Sequence, residues 1–392
     1  MNIDRVYVGG WFQRTALHLS EFYDFLKGDD TPLELSGEKL AELRKKLNIE
    51  TAEMAFDGLQ YINLKTTQDI SINIFEDGLI TLTKDGDEDP EALVQELTEF
   101  YENKLSPAFS YLFSLGAPVP KELANIKTVY PYFFVLNKAS KEDVDALWKA
   151  FDEEEYFHIN EKTFEIYRGR KLYIINRKGE GLANVHEFIG EQIFLREFRG
   201  QLHRYLNLHR IIWERIAEVK ERGEIKGHEI GGFKTKIEEY KKTITLIDTR
   251  IDQMSSYIHT RESIAKSDPR LKHFQDIIEY RYETLSDTLS YVKDIWTMTM
   301  RYVDSALKLF SELQAQSTNA SVKNLTVVTS MGVGATLLGL FTTDSAPSFT
   351  LFGITYFFIL AAVGYAANRI ISYIYRRRDY RVSDTDINTD IK

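Results

Sequence analysis

Few residues of this 392-residue chain are placed to do chemistry. There is no cysteine, which excludes disulfides and thiolate metal sites. The eight histidines show no metal-ligand spacing. No Ser-His-Asp, Cys-His or paired-carboxylate arrangement stands out, so the chain does not read as an enzyme. What remains is polar chemistry in an uncharged setting. Residues 324–343 carry no formal charge, and the stretch runs into Thr342-Thr343-Asp344. Amides, hydroxyls and a carboxylate are groups that can meet a cation or its water shell.

The setting of these residues is itself a prediction. A bilayer core about 30 Å thick takes about 20 helical residues. Residues 324–343 meet that length, and so do residues 349–368, which are uncharged up to Arg369. Core helices of that length without one charge are uncommon, so both stretches are expected to be transmembrane helices. The second is followed by Tyr375–Arg381, with four arginines, whereas the short loop between the two carries only Asp344. By the positive-inside rule the loop faces out and both termini face the cytoplasm. The location expected is the cell (plasma or inner) membrane, with Arg376, Arg377 and Arg378 as an anchor on the bilayer. The bulk of the chain is water-soluble, with 28% charged residues and a mean hydropathy of −0.30. Its 59 acidic against 49 basic residues argue against nucleic acid as a partner.

The elements that must hold the C-terminal part in place read in two styles. Residues 1–180 alternate like a cytosolic α/β domain. "RVYVGGWF" is strand-like, Ile70, Ile72 and Ile74 alternate up to a turn at Asp77-Gly78, and a second hairpin turns at Gly169. Helical stretches lie at Pro90–Leu115 and Lys141–Phe151. Beyond about Gly181 apolar residues recur at alternating spacings of 3 and 4, the coiled-coil pattern. One row runs from Leu195 to Val219, the next from Ile230 to Ile258, and the third from Ile278 to Leu313, broken only at Thr299. The expected organisation is an antiparallel helical bundle over 181–268, a stalk helix over 269–323, a first transmembrane helix over 324–343, an outer loop over 344–348, a second transmembrane helix over 349–374, and a basic anchor and tail over 375–392. No Pro or Gly interrupts the sequence between Pro269 and Gly332, so the stalk is expected to run straight on.

This plan resembles the CorA family of divalent-cation channels, known best for magnesium. Specific residues match around the end of the stalk. The family pattern Asn-x-x-Met-Lys-x-Leu-Thr meets Asn319, Val322, Lys323, Leu325 and Thr326, with Thr336 where the family has a pore threonine. The fold class expected is therefore an α+β cytosolic domain, long coiled-coil-like helices and two C-terminal transmembrane helices in a pentameric, CorA-like funnel. The resemblance implies a homopentamer whose pore is lined by Asn319, Val322, Leu325, Thr329, Val333 and Thr336. It implies a hydrated divalent cation as cargo, and no cofactor. The family signature Gly-Met-Asn is replaced by Thr342-Thr343-Asp344 at the outer mouth, which leaves magnesium open as the ion. Counting by the family spacing, the stalk position that carries an acidic sensor falls on Lys308, with Asp304 one turn before and Glu312 one turn after. The alternative is a membrane-anchored scaffold or sensor that no longer transports.

Other features read more plainly. "GVGATLLG" lacks the strand that a nucleotide loop needs. His209 falls on a heptad core row and is expected to be packed and hydrogen-bonded. The acidic run Asp152–Glu155 reads as a solvated helix end.

Overall fold

The computed structural model describes residues 2–13, 18–28, 34–86, 89–112, 130–179, 185–220 and 224–341. It also describes 355, 358, 359, 362–366, 369, 370, 373, 374, 377 and 379–381. The chain divides into two compact units, one of Met1–Leu208 with Leu246–Asp294 and one of His209–Thr245 with Ile295–Lys392.

The first unit is built on a nine-stranded sheet. Its strands are β1 (Ile3–Trp11), β2 (Ile49–Asp57), β3 (Leu59–Thr66), β4 (Ser71–Phe75), β5 (Leu79–Asp85), β6 (Tyr132–Asn137), β7 (Phe157–Asn160), β8 (Phe164–Arg168) and β9 (Leu172–Arg177). Their order is β2-β3-β4-β5-β1-β6-β9-β8-β7. Every neighbouring pair is antiparallel except β6 and β9, where Phe134 faces Ile174. Both expected hairpins are present, with Ile74 opposite Ile80 and Ile166 opposite Ile175. Gly78 makes the first turn possible. Its φ is +93°, and a Cβ there would lie 1.9 Å from the Phe12 carbonyl oxygen.

The central strands β1, β6 and β9 are buried along almost their whole length, because helices cover both faces. One face carries α1 (Leu19–Lys27), α2 (Gly37–Leu47), α3 (Pro90–Phe100), a π-turn over Tyr101–Leu105, α4 (Ser106–Leu112) and α5 (Lys141–Ala150). Their starts are written locally: Asp89 caps α3 ahead of Pro90, and Ser140 with Asp143 forms a capping box on α5. The opposite face meets α6 (Val185–Lys220). There Trp11 contacts Phe194 edge-on at 5.8 Å, and Phe188 stacks on Phe274 at 4.0 Å.

Three long helices follow the three heptad rows: α6, α7 (Ile230–Ser267) and α8 (Gln275–Phe341). A short 3-10 turn, Pro269–Phe274, separates the last two. The row residues of α8 from Ile278 to Leu313 are buried. Thr299 belongs to the row after all: it is fully buried, and its hydroxyl donates to the Ile295 carbonyl at 2.9 Å. In the second unit Trp213 stacks on Tyr302 at 4.3 Å, and a three-residue strand β10 (Glu224–Lys226) pairs with β11 (Asp379–Arg381).

The expected C-terminal architecture is corrected by the structure. Among the described residues no helix is long and apolar enough to cross a membrane. Residues 324–341, expected to cross the membrane as the continuation of the stalk, are the last turns of α8. The second expected transmembrane helix falls mostly outside the described residues. The expectation rested on missing charge, and missing charge is not the same as apolarity. Asn324, Thr326, Thr329, Ser330, Gly332, Gly334, Thr336 and Gly339 dilute the stretch with polar and small groups.

Candidate functional site

The site expected from sequence lies on α8, and its geometry changes at Leu313. Up to that residue the helix buries one face against its own chain. Phe233 and Phe310 lie 6.1 Å apart, and Lys234 donates to the Gln314 side chain at 3.2 Å. Beyond it, Asn319, Val322, Thr326, Thr329, Ser330 and Val333 are exposed. Val322 and Val333 each leave more than half of their surface uncovered. The Thr326 hydroxyl donates to the Val322 carbonyl at 3.0 Å, and the Ser330 hydroxyl to the Thr326 carbonyl at 2.7 Å. These hydroxyls thus spend their protons on the helix and present their oxygens outward as acceptors.

Of the expected pore row, Asn319, Val322, Thr329 and Val333 are on this exposed part of α8. Leu325 and Thr336 lie on the same helix. Thr342, Thr343 and Asp344, the expected outer mouth, lie outside the described residues, as do Arg376 and Arg378. Arg377 is exposed, with its guanidinium 4.5 Å from the Tyr373 ring centre. In the stalk, Lys308 and Glu312 are exposed. Asp304 is in an ion pair with Lys241 of α7 at 2.8 Å. That pair is half-exposed and adds little stability, but it occupies the one acid that a shifted register would offer as a sensor. No group of three or more His, Asp or Glu able to hold a metal ion occurs among the described residues.

Two sites were not foreseen. The first is a buried charge cluster in the first unit. Arg261 of α7 donates to both oxygens of Asp77 and, at 2.9 Å, to Glu191 of α6. Tyr282 of α8 donates its hydroxyl to Glu191, and Trp11 donates to the Asp77 carbonyl at 2.8 Å. Burial works against the Arg261 cation, yet Asp77 and Glu191 overrule it and raise its pKa. Burial pushes the Glu191 carboxyl up, and Arg261 holds it back. The cluster ties the β4–β5 turn to three helices. The second is a cleft of ≈ 800 Å³ beside the β7 edge of the sheet, lined by arginines and aromatic rings of β7–β9, α6 and α8.

His209 is packed as expected, between Trp213 and Trp296 at ring distances of 5.8 and 5.9 Å. The expected hydrogen bond is not made at Nε2, which is buried without a partner, and burial lowers the ring's pKa. The acidic run keeps its solvated role in part, since Glu153 turns back to accept from the Arg170 and Lys171 amides and closes the β8–β9 turn.

No family model matches the chain, and no curated protein matches it. Among solved structures it is similar to the CorA magnesium transporter from Methanocaldococcus jannaschii. The likeness has a TM-score of 0.26 and 11% identity over 64% of this chain and 92% of that one. Similarity at that level is distant and carries no argument about fold or function.

Proposed function

We propose that the chain is a subunit of a cation channel or transporter of the CorA-like type. Copies assemble as a ring, five by the family resemblance, and pass a hydrated cation, divalent by the same resemblance, along the row Asn319, Val322, Leu325, Thr329, Val333 and Thr336. The observation that supports this most is the change at Leu313. One continuous helix, 67 residues long, is covered by its own chain in its first part and exposes Val322 and Val333 beyond it. Copies of the same helix around an axis would cover those side chains and bring the acceptor oxygens of Thr326 and Ser330 together. Rings of valine would form apolar constrictions, and Asp344 would concentrate cations at the mouth. The place of action we assign is the cell membrane, both termini cytoplasmic, with Arg376–Arg378 on anionic lipid.

The test is cation uptake into liposomes holding the purified chain, comparing magnesium, calcium, cobalt, zinc, sodium and potassium. The expected result is flux that Thr336→Leu lowers by about tenfold and whose ion preference Asp344→Asn changes. Flux unchanged in both variants would overturn the path. A second reading, a scaffold or sensor that does not conduct, is favoured by the Lys241–Asp304 pair and by Thr342-Thr343-Asp344 in place of the family signature. An intact ring silent to all six cations would support it.

A further inference from the structure

The arginine-lined cleft of the first unit differs from three other places where this unit holds an arginine. At those three, carboxylates meet the guanidinium. Arg261 has Asp77 and Glu191, Arg270 has Asp57, Glu187 and Asp268, and Arg177 has Asp4. In the cleft four arginines, Arg168, Arg196, Arg199 and Arg281, line one space with a single carboxylate, Asp276. Arg281 donates to the neutral side chain of Gln192, and Arg168 lies over the Tyr156 ring at 5.5 Å. Arg196 is the informative one. Its Nη1 is buried and has no hydrogen-bond partner. Burial disfavours its cation, and the charge of Arg168 adds to that, while Glu197 opposes both. Glu197 is itself turned to Arg204 at 3.7 Å, and burial pushes its carboxyl up to about 7. Arg250 also leaves one nitrogen without a partner, but it does not line the cleft. A buried guanidinium nitrogen without an acceptor is costly, and an anion entering the cleft would remove that cost.

The rest of the lining narrows the class of anion. Tyr280 is 71% exposed, Tyr156 57% and Phe157 47%, so the walls present flat aromatic surface to solvent. Inorganic phosphate would leave those rings unused. A ligand with a planar ring and a phosphate chain would use both features, the ring stacking on tyrosine and the phosphates taking guanidinium forks. The volume lies in the range that encloses a small organic ligand. We propose that this cleft binds a nucleotide, a nucleoside di- or triphosphate, with Arg196 and Arg199 on the phosphates and Tyr280 on the base. Arg196 and Arg199 are one turn apart on α6 and so reach the same phosphate chain from one helix. The proposal does not rest on ion passage, since no residue of the pore row lines the cleft.

The test is calorimetric titration of the full-length chain with ATP, ADP, adenosine and pyrophosphate, with EDTA present so that no metal bridges the contact. The expected result is saturable binding of ATP or ADP at one per chain, with adenosine and pyrophosphate each at least roughly tenfold weaker. Arg196→Met should weaken nucleotide binding by roughly tenfold or more, and the exposed Arg199→Gln and Tyr280→Ala by roughly fivefold each, with melting temperatures unchanged for the latter two. Those two keep the test valid if Arg196→Met perturbs folding. Absence of saturable nucleotide binding, pyrophosphate as tight as ATP, or binding indifferent to Arg199→Gln and Tyr280→Ala would each overturn the proposal. Liposome flux is not read here, so a silent channel with a working nucleotide site, or the reverse, separates this inference from the proposed function.

Discussion

Arg261 and Arg196 are the same residue type in the same unit, both set among aromatic rings, and they are treated in opposite ways. Around Arg261 the chain places two carboxylates, a tyrosine hydroxyl on one of them, and the rings of Phe75 and Phe194 at 5.0 and 5.4 Å. Nothing is left for a ligand to do. Around Arg196 it places three further arginines in the lining of the same cleft and leaves a buried nitrogen unmatched. The difference teaches how to separate a charge that holds a fold from one that waits for a partner. The first is saturated from within the chain, while the second is affordable only because its cost falls when something binds.

The largest effect that would sharpen this comparison comes from Arg261→Met. It leaves Asp77 and Glu191 buried without their cation, and breaking such a pair costs about 3–5 kcal/mol. Urea unfolding of the full chain at pH 7 should show that loss. A change below about 1 kcal/mol would mean that water or rearrangement replaces the guanidinium, and the closed reading of this cluster would fail.

The next effect is smaller and depends on pH. Glu197 titrates at about 7 in the folded chain because burial disfavours its charge, against an ordinary value of 4.5. The folded state therefore holds a proton that the unfolded chain has released. Its contribution is present below about pH 4.5 and is lost as pH rises through about 7. His186 runs the other way. Burial, with the charges of Arg5 and Arg270, pushes it down to about 4 from 6.5. Its contribution is present above pH 6.5 and is lost as pH falls through about 4. The two nearly oppose each other across one window. Glu197→Gln should lift stability at pH 8 by about 2 kcal/mol, leave it unchanged at pH 4.5, and expose the rise with pH that belongs to His186. Denaturant midpoints at pH 4.5, 6 and 8 give the answer, and equal midpoints for wild type and variant at pH 8 would contradict it.

Much of the scaffold behind both clusters was legible in the sequence, because it is written in local periodicity. The turn at Asp77-Gly78, the turn at Gly169 and the three heptad rows each depend on residues a few positions apart, and each reappears with its register intact. The parallel pairing of β6 with β9 was not legible, since it joins strands with β7 and β8 between them. Neither cluster was legible either. Arg261 meets Asp77 across 184 positions and Glu191 across 70, and only the Arg196–Arg199 spacing is local. The uncharged stretch at 324–343 misled in one respect: α8 runs on through Phe341, as the lack of Pro and Gly before Gly332 announced, but no helix among the described residues is long and apolar enough to cross a membrane. Asp304 was readable as a candidate acid, but its pairing with Lys241 comes from a different helix and no local pattern announces it.

The smallest effect is the most pointed. Arg196→Met removes a guanidinium that has an unmatched buried nitrogen and replaces it with an apolar chain of similar length. At pH 6, where Glu197 is protonated and does not ask for a counter-charge, the variant should be as stable as wild type or more stable by no more than about 1 kcal/mol. The same substitution at Arg261 is expected to be strongly destabilising, so the pair of variants puts one chemical change in two surroundings. Opposite outcomes would mark Arg261 as part of the fold and Arg196 as a charge held open. If Arg196→Met instead lost as much stability as Arg261→Met, its guanidinium would be serving the fold through packing of its aliphatic stem. The contrast on which the open cleft rests would then disappear, whatever ligand the cleft accepted.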